Sequence, residues 1–154
     1  MTADPLVYQS TLTFGELVVE IGNGASPEVF AAPAGFDSKA FNKTASTSEA
    51  NIPPVNDPDA PGFTARGVSA LSIEVTGSGV MATEDAAMWS AFWLGGVARN
   101  VRVIRTGLDY WTGPAVLTAY NETASRSQNG NLVQASMTLS SAGPWTQTTG
   151  APTS

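Results

Sequence analysis

The chain contains neither cysteine nor histidine among its 154 residues. The first absence removes disulfides, thiolate nucleophiles and cysteine-based zinc or iron–sulfur sites. The second removes imidazole as general base, proton shuttle or metal ligand. Charge is scarce too: 13% of the residues are charged, about half the usual ~25%. Seven basic residues oppose thirteen acidic ones, for a net charge of −6, so a basic patch that grips phosphate backbones is not expected. No run approaches the ~18 consecutive apolar residues of a membrane span. The opening MTADPLVYQS has neither the basic nor the long apolar region of a secretion signal. A soluble chain made in a cytoplasm is the expectation.

Enough apolar material remains for a core, since 42% of residues are hydrophobic and 8% aromatic. The length suits one domain, 1–154, and not two. Ser and Thr fill much of the polar surface. Neutral polar surface is easier to bury against a partner than charged surface, a first hint of self-association.

Residues 1–10 read as a loose leader. Leu17, Val19 and Ile21 alternate with Val18 and Glu20, the period of a half-buried strand. Gly22-Asn23-Gly24 reads as a turn, and a short extended run follows at 28–32. Residues 34–50 are polar and extended. The stretch 46–66 is expected to be a long loop, because four prolines (Pro53, Pro54, Pro58 and Pro61) fall in it without periodicity. Loops above ~12–15 residues are uncommon unless functional or disordered. Leu71, Ile73 and Val75 predict a strand that Gly77-Ser78-Gly79 interrupts. A single helix is expected over about 83–95: Thr83 as cap, Glu84 and Asp85 at the positive end, Gly95-Gly96 as stop. Met88, Trp89, Phe92 and Trp93 most simply form its packing face; a ligand groove is the sharper reading, and a third, since Ala87, Ala91 and Leu94 widen the apolar surface, is a helix that touches both its own sheet and a neighbouring subunit. Strands follow over 97–106 and 110–125. Gln128-Asn129-Gly130-Asn131 predicts a hairpin turn. The return strand carries Val133, Ala135, Met137 and Leu139 on one face. Residues 146–154 read as a loose tail. The fold class is mainly β: a β-sandwich or incomplete barrel with one flanking α-helix.

Chemistry is thin. A Ser or Thr nucleophile would need Lys39 or Lys43 or a carboxylate as base, and no nucleophile motif accompanies them. Asn56, Asp57 and Asp59 fall short of a calcium loop's ligand set and read as a proline-stiffened acidic loop. Neither Gly-x-Gly completes a nucleotide fingerprint. No enzyme activity, catalytic residue, metal or cofactor is expected. An alternative binding role, a carbohydrate-binding β-sandwich, would use Trp111 or Trp145 as an exposed sugar platform.

The order of elements resembles a known family. The residues that carry the likeness are Asn51-Ile52-Pro53-Pro54-Val55-Asn56-Asp57-Pro58-Asp59-Ala60-Pro61, the strand Ser69 to Gly79, and the helix Asp85 to Leu94. Tyr110-Trp111-Thr112-Gly113-Pro114-Ala115-Val116-Leu117-Thr118 and the ending Met137 to Gly143 complete it. Over roughly residues 10–146 the chain resembles the major tail tube protein of long, non-contractile-tailed phages and of gene transfer agents. The resemblance implies a virion structural protein that self-assembles into hexameric rings stacked as a hollow tube. Such a tube encloses a tape-measure protein, ends on tail terminator and distal tail proteins, and later passes DNA without specific binding. It is assembled in the host bacterial cytoplasm and carries no membrane anchor. The resemblance assigns the inter-subunit or inter-ring contact to the loop residues Ile52, Pro53, Pro54, Val55, Asp57, Asp59 and Phe63. Glu74 and Glu122 are the candidate lumen-facing acids. A terminator or distal tail ring is the nearest alternative within the virion.

Overall fold

The computed structural model describes residues 5–6, 9–24, 28–126 and 132–152. A single 3-10 turn, Phe14–Glu16, leads into β1 (Leu17–Gly22). Then come β2 (Phe30–Ala31), β3 (Phe36–Ile52), β4 (Phe63–Val80), α1 (Thr83–Gly95), β5 (Arg99–Arg105), β6 (Asp109–Ala124), β7 (Val133–Ser141) and β8 (Thr146–Thr149). All eight strands belong to one sheet in the order β2-β1-β5-β6-β7-β4-β3, and β8 lies on β6. Every pairing is antiparallel. The sheet curls so that its two ends approach: Val18 and Val19 of β1 line the same small cavity as Phe36 and Lys39 of β3. Lys39 Nζ donates to the Leu17 carbonyl across that seam and lies 4.1 Å from the Phe14 ring. This is an incomplete barrel, its seam closed by a side chain where a backbone ladder would otherwise run.

The core fills the concave face. Val19, Ile21, Val75, Val101, Val103, Ala115, Leu117, Met137 and Leu139 point inward from five strands. The alternation read in β7 is real: Ala135, Met137 and Leu139 are buried while Gln134, Ser136, Thr138 and Ser140 are not. Helix α1 closes one end through Trp89 and Phe92. Trp89 stacks on Tyr120 at 5.4 Å and meets Phe36 edge-on at 6.0 Å, arrangements worth about 0.5–1.5 kcal/mol each beyond burial.

Several expectations need correction. The loop expected over 46–66 is strand for much of its length. Only residues 53–62 lie between β3 and β4, whose ladder runs unbroken in pairing from Ser46↔Ala70 to Ile52↔Phe63 apart from one bulge. Gly77-Ser78-Gly79 does not interrupt β4. These glycines let β3 come close instead, since a Cβ on Gly79 would stand 2.2 Å from the Gly35 carbonyl oxygen. The tail is not loose throughout: Thr146–Thr149 pair with Asp109–Thr112. Ala82, not Thr83, occupies the N-cap, with no side-chain cap. Asp85 acts beyond the helix end, accepting the Ala34 backbone N–H at 2.8 Å. Trp93 leaves the packing face and is 58% exposed. The turn expected at 128–131 lies outside the described residues.

Candidate functional site

The β3–β4 hairpin is longer than the rest of the sheet can pair. On β4, the ladder to β7 ends at Glu74↔Ser140. There the Ser141 hydroxyl accepts the next amide, Ile73 N–H, at 3.0 Å. The chain then leaves β4: Gly143 packs against Pro114, and Trp145 turns in over Gly113, where a Cβ would stand 2.3 Å from the indole. Beyond this point β4 pairs only with β3, and β3 is the last strand of the sheet. Residues 44–52 and 63–72 therefore form a two-stranded arm with both edges open. At roughly 3.3 Å per residue it extends about 30 Å.

The tip carries the residues singled out in the sequence. Ile52 and Phe63 are cross-strand partners on one face, and with Val55 they are 58%, 87% and 100% exposed. Pro53 and Pro54 remove two backbone donors from the tip and fix its φ angles. Asp57 accepts the Asp59 amide at 3.3 Å, closing a local turn. The only ion pair on the arm among the described residues, Arg66–Glu49 at 2.6 Å, is itself exposed and so worth little. Among the described residues nothing covers the apolar side chains of Val55 and Phe63, and open strand edges are a liability unless another chain meets them.

A second feature is the convex face of β3, β4, β7 and β6. Ser38, Asn42 and Thr44 lie opposite Ser78, Glu74 and Ser72, and Ser136, Thr138 and Ser140 continue the face on β7. Glu74 is its one charged side chain among these residues. Glu122 is not with it. A bulge between Leu117 and Ala119 shifts the β6 register by one residue, so Tyr120 and Glu122 turn to the face of Met137 and Ala135. The two acids stand on opposite faces of the sheet.

Sequence reasoning missed the root of the arm. Phe41, Trp111 and Trp145 cluster there, with Phe41 5.9 Å and 6.4 Å from the two indoles. Lys43 Nζ lies 4.8 Å from the Trp111 ring. Neither tryptophan is the exposed platform that sugar binding needs: both are half-buried, and Trp145 Nε1 donates to the Pro114 carbonyl at 2.9 Å. Beneath the cluster Asp109, 3% exposed, accepts two bonds from Arg105 and one from Gln147 of β8. The Arg105 hydrogen bonds hold its carboxyl below the usual range, against the effect of burial. No group of three or more acidic side chains able to hold a metal occurs among the described residues, nor does a helix long and apolar enough to cross a membrane.

Residues 11–147 match the model of the phage tail tube protein family. The chain belongs to that family. Its fold recurs in solved structures at low identity. A chain in the tail of an empty gene transfer agent particle with C6 symmetry matches with a TM-score of 0.70 at 18% identity, over 90% of this chain and 99% of that one. The SPP1 tail tube matches at 0.56 and 11% identity, over 90% and 80%. The tube-terminating cap of the anti-feeding prophage matches at 0.62 and 16% identity, over 97% and 98%. No curated protein matches the sequence.

Proposed function

We propose that this tail tube protein acts by self-assembly, with copies closing into hexameric rings that stack into the tube of a phage or gene transfer agent particle. One observation carries the reading within the family: an arm of about 30 Å with two open edges and an apolar tip that the other described residues leave bare. Such an element is incomplete alone and complete among copies. The tip residues Ile52, Pro53, Pro54, Val55, Asp57, Asp59 and Phe63 make the contacts between subunits or rings. The role is structural, with no reaction and no cofactor.

The hydroxyl-paved face lines the channel in this reading, with Glu74 as its lumen acid; Glu122, on the other face, does not share that lining. A surface of Ser, Thr and Asn with one carboxylate neither releases counterions from DNA nor grips it, which suits passage. The tape-measure protein occupies the channel before DNA does, and terminator and distal tail proteins cap the ends. Assembly takes place in the host bacterial cytoplasm.

The shared fold of a tube-terminating cap favours a second reading, a ring that ends a tube. Electron microscopy of the concentrated protein separates the two. Long stacks of sixfold rings support the tube subunit, isolated rings support the terminator, and a monomer at every concentration refutes both.

A further inference from the structure

The groove at the arm's root has a shape and chemistry of its own. It opens where β7 parts from β4, between the free edge Val68–Ile73 on one side and Trp111, Pro144 and Trp145 on the other, and encloses about 510 Å³. That lies within the ~300–1,000 Å³ of ordinary ligand sites. Leu71 and Val68 beside it are 80% and 63% exposed. The Trp111 indole N–H is buried without a hydrogen-bond partner among the described residues, a costly state for a buried donor. Lys43 lines an adjoining cavity that shares Leu71, Ser72, Ile73 and Trp111 with the groove; it rests on aromatic rings and makes no ion pair within 4 Å among the described residues.

We infer that this groove receives the tip of another copy's arm, with Ile52-Pro53-Pro54-Val55 laid against Trp111 and Leu71. The inference rests on the self-assembly proposed above and adds the receiving site. Three matches select this occupant. The tip is stiffened by Pro53 and Pro54, so it loses little entropy on docking into an aromatic-lined groove. Its proline carbonyls are acceptors with no ladder to serve, and the Trp111 N–H, buried and without a partner among the described residues, is a donor that a small shift on docking would uncover. Its Asp57 and Asp59 are acidic and exposed, and Lys43 supplies the opposite charge from the adjoining cavity. The donor of the tip cannot be the same chain: a two-stranded ribbon about 30 Å long holds its own tip away from its own root. Docking draws Lys43 off the Trp111 ring toward the aspartates and buries Val55 and Leu71 together.

The lack of cysteine makes a clean test. Val55→Cys and Leu71→Cys proteins, mixed and oxidised during assembly, are expected to form the mixed disulfide, while Val55→Cys mixed with Leu94→Cys is not. If tubes form and Val55 crosslinks to position 94 as readily as to 71, the groove assignment falls and the tube reading stands. Independently, a synthetic peptide of residues 51–59 is titrated onto the dilute protein and followed by tryptophan fluorescence. Saturation below about 1 mM is expected, weakened at least fivefold by Lys43→Gln or by Leu71→Asp and unaffected by a scrambled peptide's presence. No saturable change, or one indifferent to both substitutions, overturns the inference. If the protein never assembles, the self-assembly reading fails while the titration still decides the groove.

Discussion

Truncating the arm tip separates an assembly role from a folding role. The variant is Ile52→Ala, Val55→Ala and Phe63→Ala together. These side chains are 58%, 100% and 87% exposed, so the isolated chain loses almost no buried area by their removal. Surface changes of this kind stay within about 0.5 kcal/mol. In the proposed assembly the same side chains are covered. Full burial of a Val, Ile or Phe is worth about 1.5–3 kcal/mol, and alanine keeps part of it. Allowing for the area that does not convert to affinity, the loss per docked tip is about 3 kcal/mol, or roughly a hundredfold in the concentration needed to assemble. Thermal unfolding of the monomer and sedimentation across a concentration series measure the two quantities. Assembly at the parent's concentration would refute the reasoning. So would a melting point lowered by ten degrees, since it would place the tip in the chain's own core.

Asp109→Ala strips Arg105 and Gln147 of their acceptor. Breaking a buried pair costs about 3–5 kcal/mol, but the Arg105 side chain is 28% exposed and can rehydrate, so about 2–3 kcal/mol is expected, measured by urea unfolding at pH 7. The folded-state carboxyl is depressed, so its contribution is complete above the ordinary value of about 3.9 and is lost as pH falls through the lower folded value. The stability gap between the parent and Asp109→Asn should accordingly narrow below about pH 4, and a gap that widens there contradicts the assignment. Glu74→Lys reverses the sole charge among the named residues of the hydroxyl face. Tubes of this variant are expected to retain duplex DNA at about 50 mM salt and release it by about 200 mM, whereas parent tubes retain none. Intact variant tubes that ignore DNA would move the channel to another face.

The parts of the fold legible in the sequence are those whose partner lies in the same chain. Strand β7 shows period-2 alternation because Met137 and Leu139 meet the core on one side and Thr138 and Ser140 face outward. Helix α1 shows its extent because Trp89 and Phe92 must reach the sheet and Gly96 takes a left-handed φ of 62° just past its end. The arm shows no such signal. Residues 44–51 and 64–70 are mostly Ser, Thr and Ala, exposed on both faces, and a strand with no core on either side has no reason to alternate. Proline density at 53–61 then draws the eye to a loop twice as long as the real one. Strand β8 is hidden for a related reason: Gln147 anchors it through a polar bond to Asp109, and Thr146 and Thr148 bring no apolar period.

The lumen acids show a different limit, set by one residue of register. If β6 ran without its bulge after Leu117, counting back from the Leu117↔Leu139 pair would put Tyr120 and Glu122 on the outward face beside Glu74. The extra residue at Thr118 reverses both. Tyr120 gains its stack on Trp89 by that reversal, and burial raises its pKa, with Glu122 and Asp85 adding to the rise. The bulge thus trades an outward carboxylate for an inward aromatic, and it leaves Glu74 as the one acid among the named hydroxyl-bearing residues of β3, β4 and β7. The shortage of charge in the composition and the neutrality of that face are then one fact seen twice. In the proposed tube that face lines a channel that must let DNA pass, and lysines there would hold it back.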